Sequence, residues 1–269
     1  MKFEVKGKKR VILLILFIGF VIWFSIKPSN DREWNVDQKI LSYAEFEGDF
    51  VHVYNIRNFS YSSVDDYVVS YYNRSFDLRE LDSVDYIVEP FGEWEGAAHT
   101  FFSFGFSDGN YVAISIEIRK EVGESFSTWK GLLKQYEIMY VIGDENDLVK
   151  LRSNYRKDSV YVYPANTTKD SMRLLFVDML EKTNNLKSEP EFYNTLTNTC
   201  TTGLAQHVNV ISPKRVPFSL KVLAPGYSDE LAYDLGLIEK RGSFEETREY
   251  YKINEKAFGE GDFSEMIRA

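Results

Sequence analysis

Residues 98–119, AHTFFSFGFSDGNYVAISIEIR, decide how the rest of the chain is read. Ser107-Asp108-Gly109-Asn110 is a hairpin signal, because Asp-Gly supplies a turn flanked by two strand-like runs. In Tyr111–Arg119, residues 112, 114, 116 and 118 are aliphatic. Period-two alternation therefore gathers Ser115, Glu117 and Arg119 on the other face, in a row beside the strand that carries His99. Working outward, further strands are expected at Ala44–Glu47, Phe50–Arg57, Tyr67–Tyr72, Val84–Phe91 and Val160–Tyr163. Helices are expected at Ser127–Tyr136, Asp144–Asn154, Lys169–Asn184 and Asp229–Gly236, with another starting at or near Cys200. Strands followed by helices indicate an α+β fold. No internal repeat or low-complexity linker interrupts the pattern, so residues 28–269 read as one large domain with room for elaborations.

The N-terminus is of another kind. Lys2, Lys6, Lys8, Lys9 and Arg10 precede Val11–Ile26, sixteen residues that are apolar apart from Gly19 and Ser25. At about 1.5 Å per residue such a helix covers roughly 24 Å, short of a full crossing, with Arg10 and Lys27 able to snorkel at its ends. Trp23-Phe24-Ser25-Ile26-Lys27-Pro28 offers no small-residue cleavage site, and no cysteine lies near enough for a lipoprotein signal. The expectation is a basic cytoplasmic segment over 1–10, one uncleaved transmembrane anchor over 11–27, and everything beyond on the extracytoplasmic side. Residues 1–27 hold six Lys/Arg against Glu4, so a chain of net charge −9 leaves −14 on the remainder. An acidic ectodomain argues against nucleic acid and against electrostatic docking on anionic lipid.

Cys200 is the chain's one cysteine. In an oxidising compartment an unpaired cysteine is either a reactive thiol or a small buried hydrophobe, and composition does not choose between them. Its neighbours add an argument. Thr197, Asn198 and Thr199 are good cap residues, so Cys200 falls in the first turn of a helix despite Gly203, where the macrodipole favours thiolate. Of three histidines, His207 lies about 10 Å further along that helix, and nothing around His52 suggests a site. His99 is the leading base, with His52 still open as an alternative, and Glu117 is the group orienting His99, with Ser115 as a rival for that role. Arg119 reads equally well as a supporting residue or a solvated charge. Asn194 or the backbone amide of Cys200 could donate to an oxyanion. No ligand spacing calls for a metal, and no phosphate or dinucleotide fingerprint calls for a cofactor.

Longer stretches also match a family. Pro90-Phe91-Gly92-Glu93-Trp94, Ala98–Phe106, Ser115–Arg119, Phe192–Thr202 and Ala224-Pro225-Gly226-Tyr227-Ser228-Asp229 resemble the exported bacterial domains of the Lnb-type lipoprotein N-acyltransferases. Asp31-Arg32-Glu33-Trp34 and Asn55-Ile56-Arg57-Asn58 fit as well. The resemblance implies a permuted papain-like core of the NlpC type, with added strands and a C-terminal extension, in which the histidine strand precedes the cysteine helix. It implies Cys200 as nucleophile and His99 as base. It further implies a phospholipid acyl donor, a diacylated lipoprotein acceptor, and a place on the periplasmic side of the inner membrane. Relatives of such a fold also cut peptides and cell-wall amides, so an extracytoplasmic cysteine peptidase is the alternative, and a non-catalytic envelope-binding module the third reading.

Overall fold

A computed structural model of the chain describes residues 2–212 and 215–269, with the side chains of residues 2–12 and 22 outside the description. Strands β1 (Tyr43–Glu47), β2 (Phe50–Arg57), β3 (Ser60–Tyr61), β4 (Tyr67–Val68), β5 (Tyr71–Asp77), β6 (Leu81–Pro90), β7 (Ala98–Phe106), β8 (Tyr111–Arg119), β9 (Glu137–Gly143) and β10 (Tyr161–Pro164) follow in chain order. Helices are α1 (Lys2–Ser25), α2 (Thr128–Leu132), α3 (Glu145–Lys150), α4 (Lys169–Ser188), α5 (Cys200–Ile211), α6 (Leu220–Leu223), α7 (Ser228–Asp234), α8 (Phe244–Tyr250) and α9 (Phe263–Met266). The large sheet runs β1-β2-β9-β8-β7-β6-β10, with β5 also paired to β2, while β3 and β4 form a separate ribbon. The architecture is α+β, as the order of strands and helices implied.

The hairpin forms as read. Gly109 takes φ +81°, a left-handed turn position that favours glycine, and β7 pairs with β8 antiparallel from Gly105↔Tyr111 to Phe101↔Ser115. Each face of the sheet carries its own core. One holds Phe102, Phe104, Ile114, Ile116 and Tyr140 under α4 and α5. The other holds Phe101, Ala113, Met139 and Val141 under Leu148, Val149 and the C-terminal Phe263 and Ile267. In α4, Thr168 caps the first turn by accepting from the Ser171 amide. Met172, Leu175, Phe176, Met179 and Leu180 of that helix recur at helical spacing on its buried face.

Strand β9 departs from the expectation, which left 137–143 unassigned. All seven residues are buried, because β9 lies between β2 and β8 with cores on both sides. A strand covered on both faces shows no polar alternation to detect. The expected helix over 127–136 is shorter, ending at Leu132 ahead of Lys134 at φ +55°. The helix expected over 144–154 is interrupted: α3 gives way to a π-turn at Leu151–Arg156, where Arg152 and Ser153 side chains bond the carbonyls of Leu148 and Val149.

The N-terminal run is helical, and its described side chains from Leu13 to Ile18, with Phe20, Val21 and Phe24, are exposed. Among the described residues, however, no helix is long and apolar enough to cross a membrane. This departs from the transmembrane anchor expected over 11–27. Its apolar part, from Val11 to the helix end at Ser25, falls below the ~20 residues of a full crossing, and continuing it backward meets Arg10, Lys9 and Lys8.

Candidate active site

The site is assembled at the point where β7, β8 and the start of α5 converge. Carried two residues past Phe101↔Ser115, the antiparallel register sets His99 against Glu117. His99 Nε2 lies 2.6 Å from Ser115 Oγ and 3.1 Å from Glu117 Oε1, while the Ser115 hydroxyl donates to the same Glu117 oxygen at 2.8 Å. The imidazole nitrogen, serine hydroxyl and carboxylate therefore form a closed triangle. Glu117 and Ser115, rivals in the sequence for one role, both touch the ring.

Cys200 is the first residue of α5, and its placement follows from the cap. The Thr199 side chain accepts from the Thr202 amide and the Thr202 hydroxyl bonds back to the Thr199 backbone, a capping box that fixes the helix start. Gly203 then lets α5 lie against β8, since a Cβ there would stand 2.7 Å from Ile116 Cδ1. The hydroxyls of Thr100 and Thr201 tie strand to helix at 2.9 Å. The thiol is buried at 8% exposure, with Thr201 Oγ1 3.7 Å from Sγ.

Electrostatics follow from this packing. Burial alone would raise the thiol's pKa, but hydrogen bonding and charge from His99, with the Thr100 amide and the Thr201 hydroxyl, bring it down to about 7. Burial opposes charge on His99 too, yet Glu117 and the thiol outweigh it and push the imidazole up to about 10. Glu117 resists burial through His99 and Arg152 and is held well below the ordinary carboxylate range. Near neutral pH this favours a thiolate beside an imidazolium braced by a carboxylate, the state in which sulfur is a nucleophile.

Behind Glu117 stands a second tier that the sequence reading missed. Arg152, at 3% exposure, donates to Glu117 Oε1 at 3.0 Å and to Glu89 Oε2 at 2.5 Å. Its guanidinium lies over the Phe101 ring that His99 also stacks on. Glu89 is paired with His99 in the β6–β7 register and is buried. One signal was available: Glu89 is the one carboxylate in the stretch Tyr86–Phe91. Arg152 gave none, since only the return of α3 onto the sheet brings it near β8.

Other sequence candidates stand elsewhere. Arg119 shares the strand face of Ser115 and Glu117, but it is buried under Trp34 and donates to the carbonyls of Gln38 and Lys39 and to Asn30 Oδ1. It fastens the N-terminal segment to β8. Asn194 and Asn198 shape the loop before α5: Asn194 Oδ1 accepts from the amides of Leu196 and Thr197, and Asn198 donates to the Phe192 carbonyl. His52 lies half-buried against Ser75 and Glu47 on β2, between β1 and β5. His207 is buried between Tyr140 and Asp178. Among the described residues, no group of His, Cys, Asp and Glu is arranged to hold a metal ion.

The family model of the Lnb N-terminal periplasmic domain matches residues 67–226, more than half of the chain and a span that includes His99, Glu117 and Cys200. No curated protein and no solved structure matches the chain.

Proposed function

The chain belongs to the Lnb N-terminal periplasmic domain family, which marks it as extracytoplasmic, and we propose that it is a cysteine-dependent acyltransferase of lipoprotein maturation. The observation that carries this reading is a buried Cys200 at a capped helix N-terminus, where His99, whose Nε2 is held by Ser115 and Glu117, brings the thiol's pKa down. In the proposed sequence the Cys200 thiolate attacks the carbonyl carbon of a phospholipid ester. The C–O bond breaks, the lysolipid alkoxide takes a proton from the His99 imidazolium, and the acyl group remains on sulfur as a thioester. The free α-amine of a diacylated lipoprotein then attacks the thioester carbon and gives its proton to His99. The C–S bond breaks and the thiolate is restored. The backbone amide of Cys200, unpaired within the helix at its first position, is the proposed oxyanion donor.

Two features support a lipid substrate. The described apolar side chains of α1 are exposed. The end of that helix sits against the domain, with Lys134 donating to the Trp23 carbonyl at 3.1 Å and lying over the rings of Phe24 and Phe192. Attachment to the outer face of the cytoplasmic membrane through α1 belongs to the same proposal, as does the permuted papain-like core, which the chain order His99, Glu117, Cys200 supports. The test supplies phospholipid with either a diacylated lipopeptide or a muropeptide. The expected result is N-acylation of the lipopeptide. Cleavage of the muropeptide with no acyl transfer would replace this reading with a peptidase.

A further inference from the structure

A groove of about 320 Å³ has Thr201, the residue after Cys200, in its wall, and nothing in the chemistry above assigns it a role. One wall is a single stripe of α5: Thr201, Leu204, Ala205, Val208, Ile211 and Ser212. Phe102 and Leu175 close it from the sheet and α4, and Val222, Leu231 and Ile238 from the C-terminal segment. The extension beyond Ser212 thus supplies a full side of the groove. At the near end, Thr201 Oγ1 is 3.7 Å from Cys200 Sγ, and Tyr86, also in the lining, bonds Ser228 at 2.7 Å.

We infer that this groove is the binding site for one unbranched acyl chain of the lipid donor, with the ester carbonyl at Cys200 and the chain laid along α5 toward Ser212. The inference rests on the thioester reading above and adds where the chain goes. Its length fits. Eleven residues separate Thr201 from Ser212, about 16 Å of helix, and one leaflet of a bilayer's ~30 Å hydrocarbon core is about 15 Å. Its chemistry fits as well, since most of the lining is aliphatic and aromatic, with Asn166, Thr167, Thr168, Ser171, Thr201, Ser212, Arg215 and Ser228 as its polar members. A sugar or charged peptide placed there would leave its polar groups without partners. The buried thiol agrees, because an acyl carbon reaches sulfur through apolar contact.

Depth along α5 gives the experiment. Ala205 is about 6 Å and Val208 about 10 Å from Thr201 by helical rise, so a bulky side chain at each should cut off chains at different lengths. The full-length protein is incubated with phosphatidylcholines bearing hexanoyl, decanoyl or hexadecanoyl chains, and the mass added to Cys200 is read on the intact protein. Butanoyl p-nitrophenyl ester, too short to need the groove, reports fold and chemistry. Wild type should load all the chains. Val208→Phe should lose hexadecanoyl by at least tenfold, and Ala205→Phe decanoyl as well, with butanoyl loading within about twofold of wild type. Leu231→Trp, on the opposite wall, should also lose hexadecanoyl, which keeps the test valid if an α5 variant misfolds. Unchanged loading of hexadecanoyl in folded variants would overturn the groove assignment and leave the thioester intact. Loss of butanoyl loading in wild type itself would overturn the thioester reading and the inference with it.

Discussion

At the residue scale the account turns on who holds His99. Glu117 is the largest favourable influence on the imidazolium, so Glu117→Gln should lower the imidazole's pKa while keeping a hydrogen-bonding side chain in place. The wild-type rate of thioester formation should rise through about pH 7 as the thiol ionises and fall through about pH 10 as the imidazolium deprotonates. In Glu117→Gln the alkaline limb should move to lower pH and the maximal rate should drop on the order of 10²-fold, the scale of acid–base catalysis. Ser115→Ala should cost less and leave that limb near its wild-type position. A shift in Ser115→Ala with none in Glu117→Gln would transfer the orienting role to the serine. The stability signs follow from the same shifts. A raised His99 contributes stability that is full below its unfolded value of 6.5 and is lost as pH rises through about 10. Much of this was legible in the sequence, because alternation alone put Ser115 and Glu117 in one row. It could not show that Arg119, in the same row, turns to Gln38 and Trp34. Nor could it show Arg152, whose approach depends on chain folding back from 35 residues away.

At the scale of elements, α5 must lie close enough to β8 for its first turn to meet His99. Gly203 makes that approach. Gly203→Val should overpack against Ile116 and destabilise by about 1–3 kcal/mol, despite valine's better helix propensity than glycine. It should also slow thioester formation more than the stability loss explains, since the helix start shifts with the helix. Denaturant midpoints with single-turnover rates check both, and a variant with wild-type rate would show that α5 does not need this contact. The start of α5 was legible from its threonine caps. Strand β9 was not, because burial on both faces removes the alternation that reveals a strand. Its absence from the sequence reading hid the centre of the sheet while leaving the hairpin that carries the site correctly placed.

At the scale of the whole molecule, the chain's end is pinned to the sheet. Arg268 donates to Asp85 and to Glu145, both buried, and lies 3.6 Å over the Tyr111 ring. Arg268→Met would leave buried carboxylates without their cation and should cost about 3–5 kcal/mol. Burial raises the pKa of Asp85, and a carboxyl raised in the folded state destabilises when ionised. The deficit should therefore be full near neutral pH and shrink as pH falls and Asp85 takes up a proton. Thermal unfolding of both proteins across the acid range checks the sign, and a deficit that grows on acidification would contradict it.

The most direct measurement of the central claim is the intact mass of the protein after incubation with phospholipid and no acceptor. Wild type should gain one fatty-acyl mass, removable by neutral hydroxylamine as a thioester is. Cys200→Ala should gain none, and His99→Ala should gain it about 10²–10⁴-fold more slowly for want of its acid–base partner. An unchanged wild-type mass, with Cys200→Ala still supporting lipoprotein maturation in cells, would make Cys200 a core residue and contradict the account.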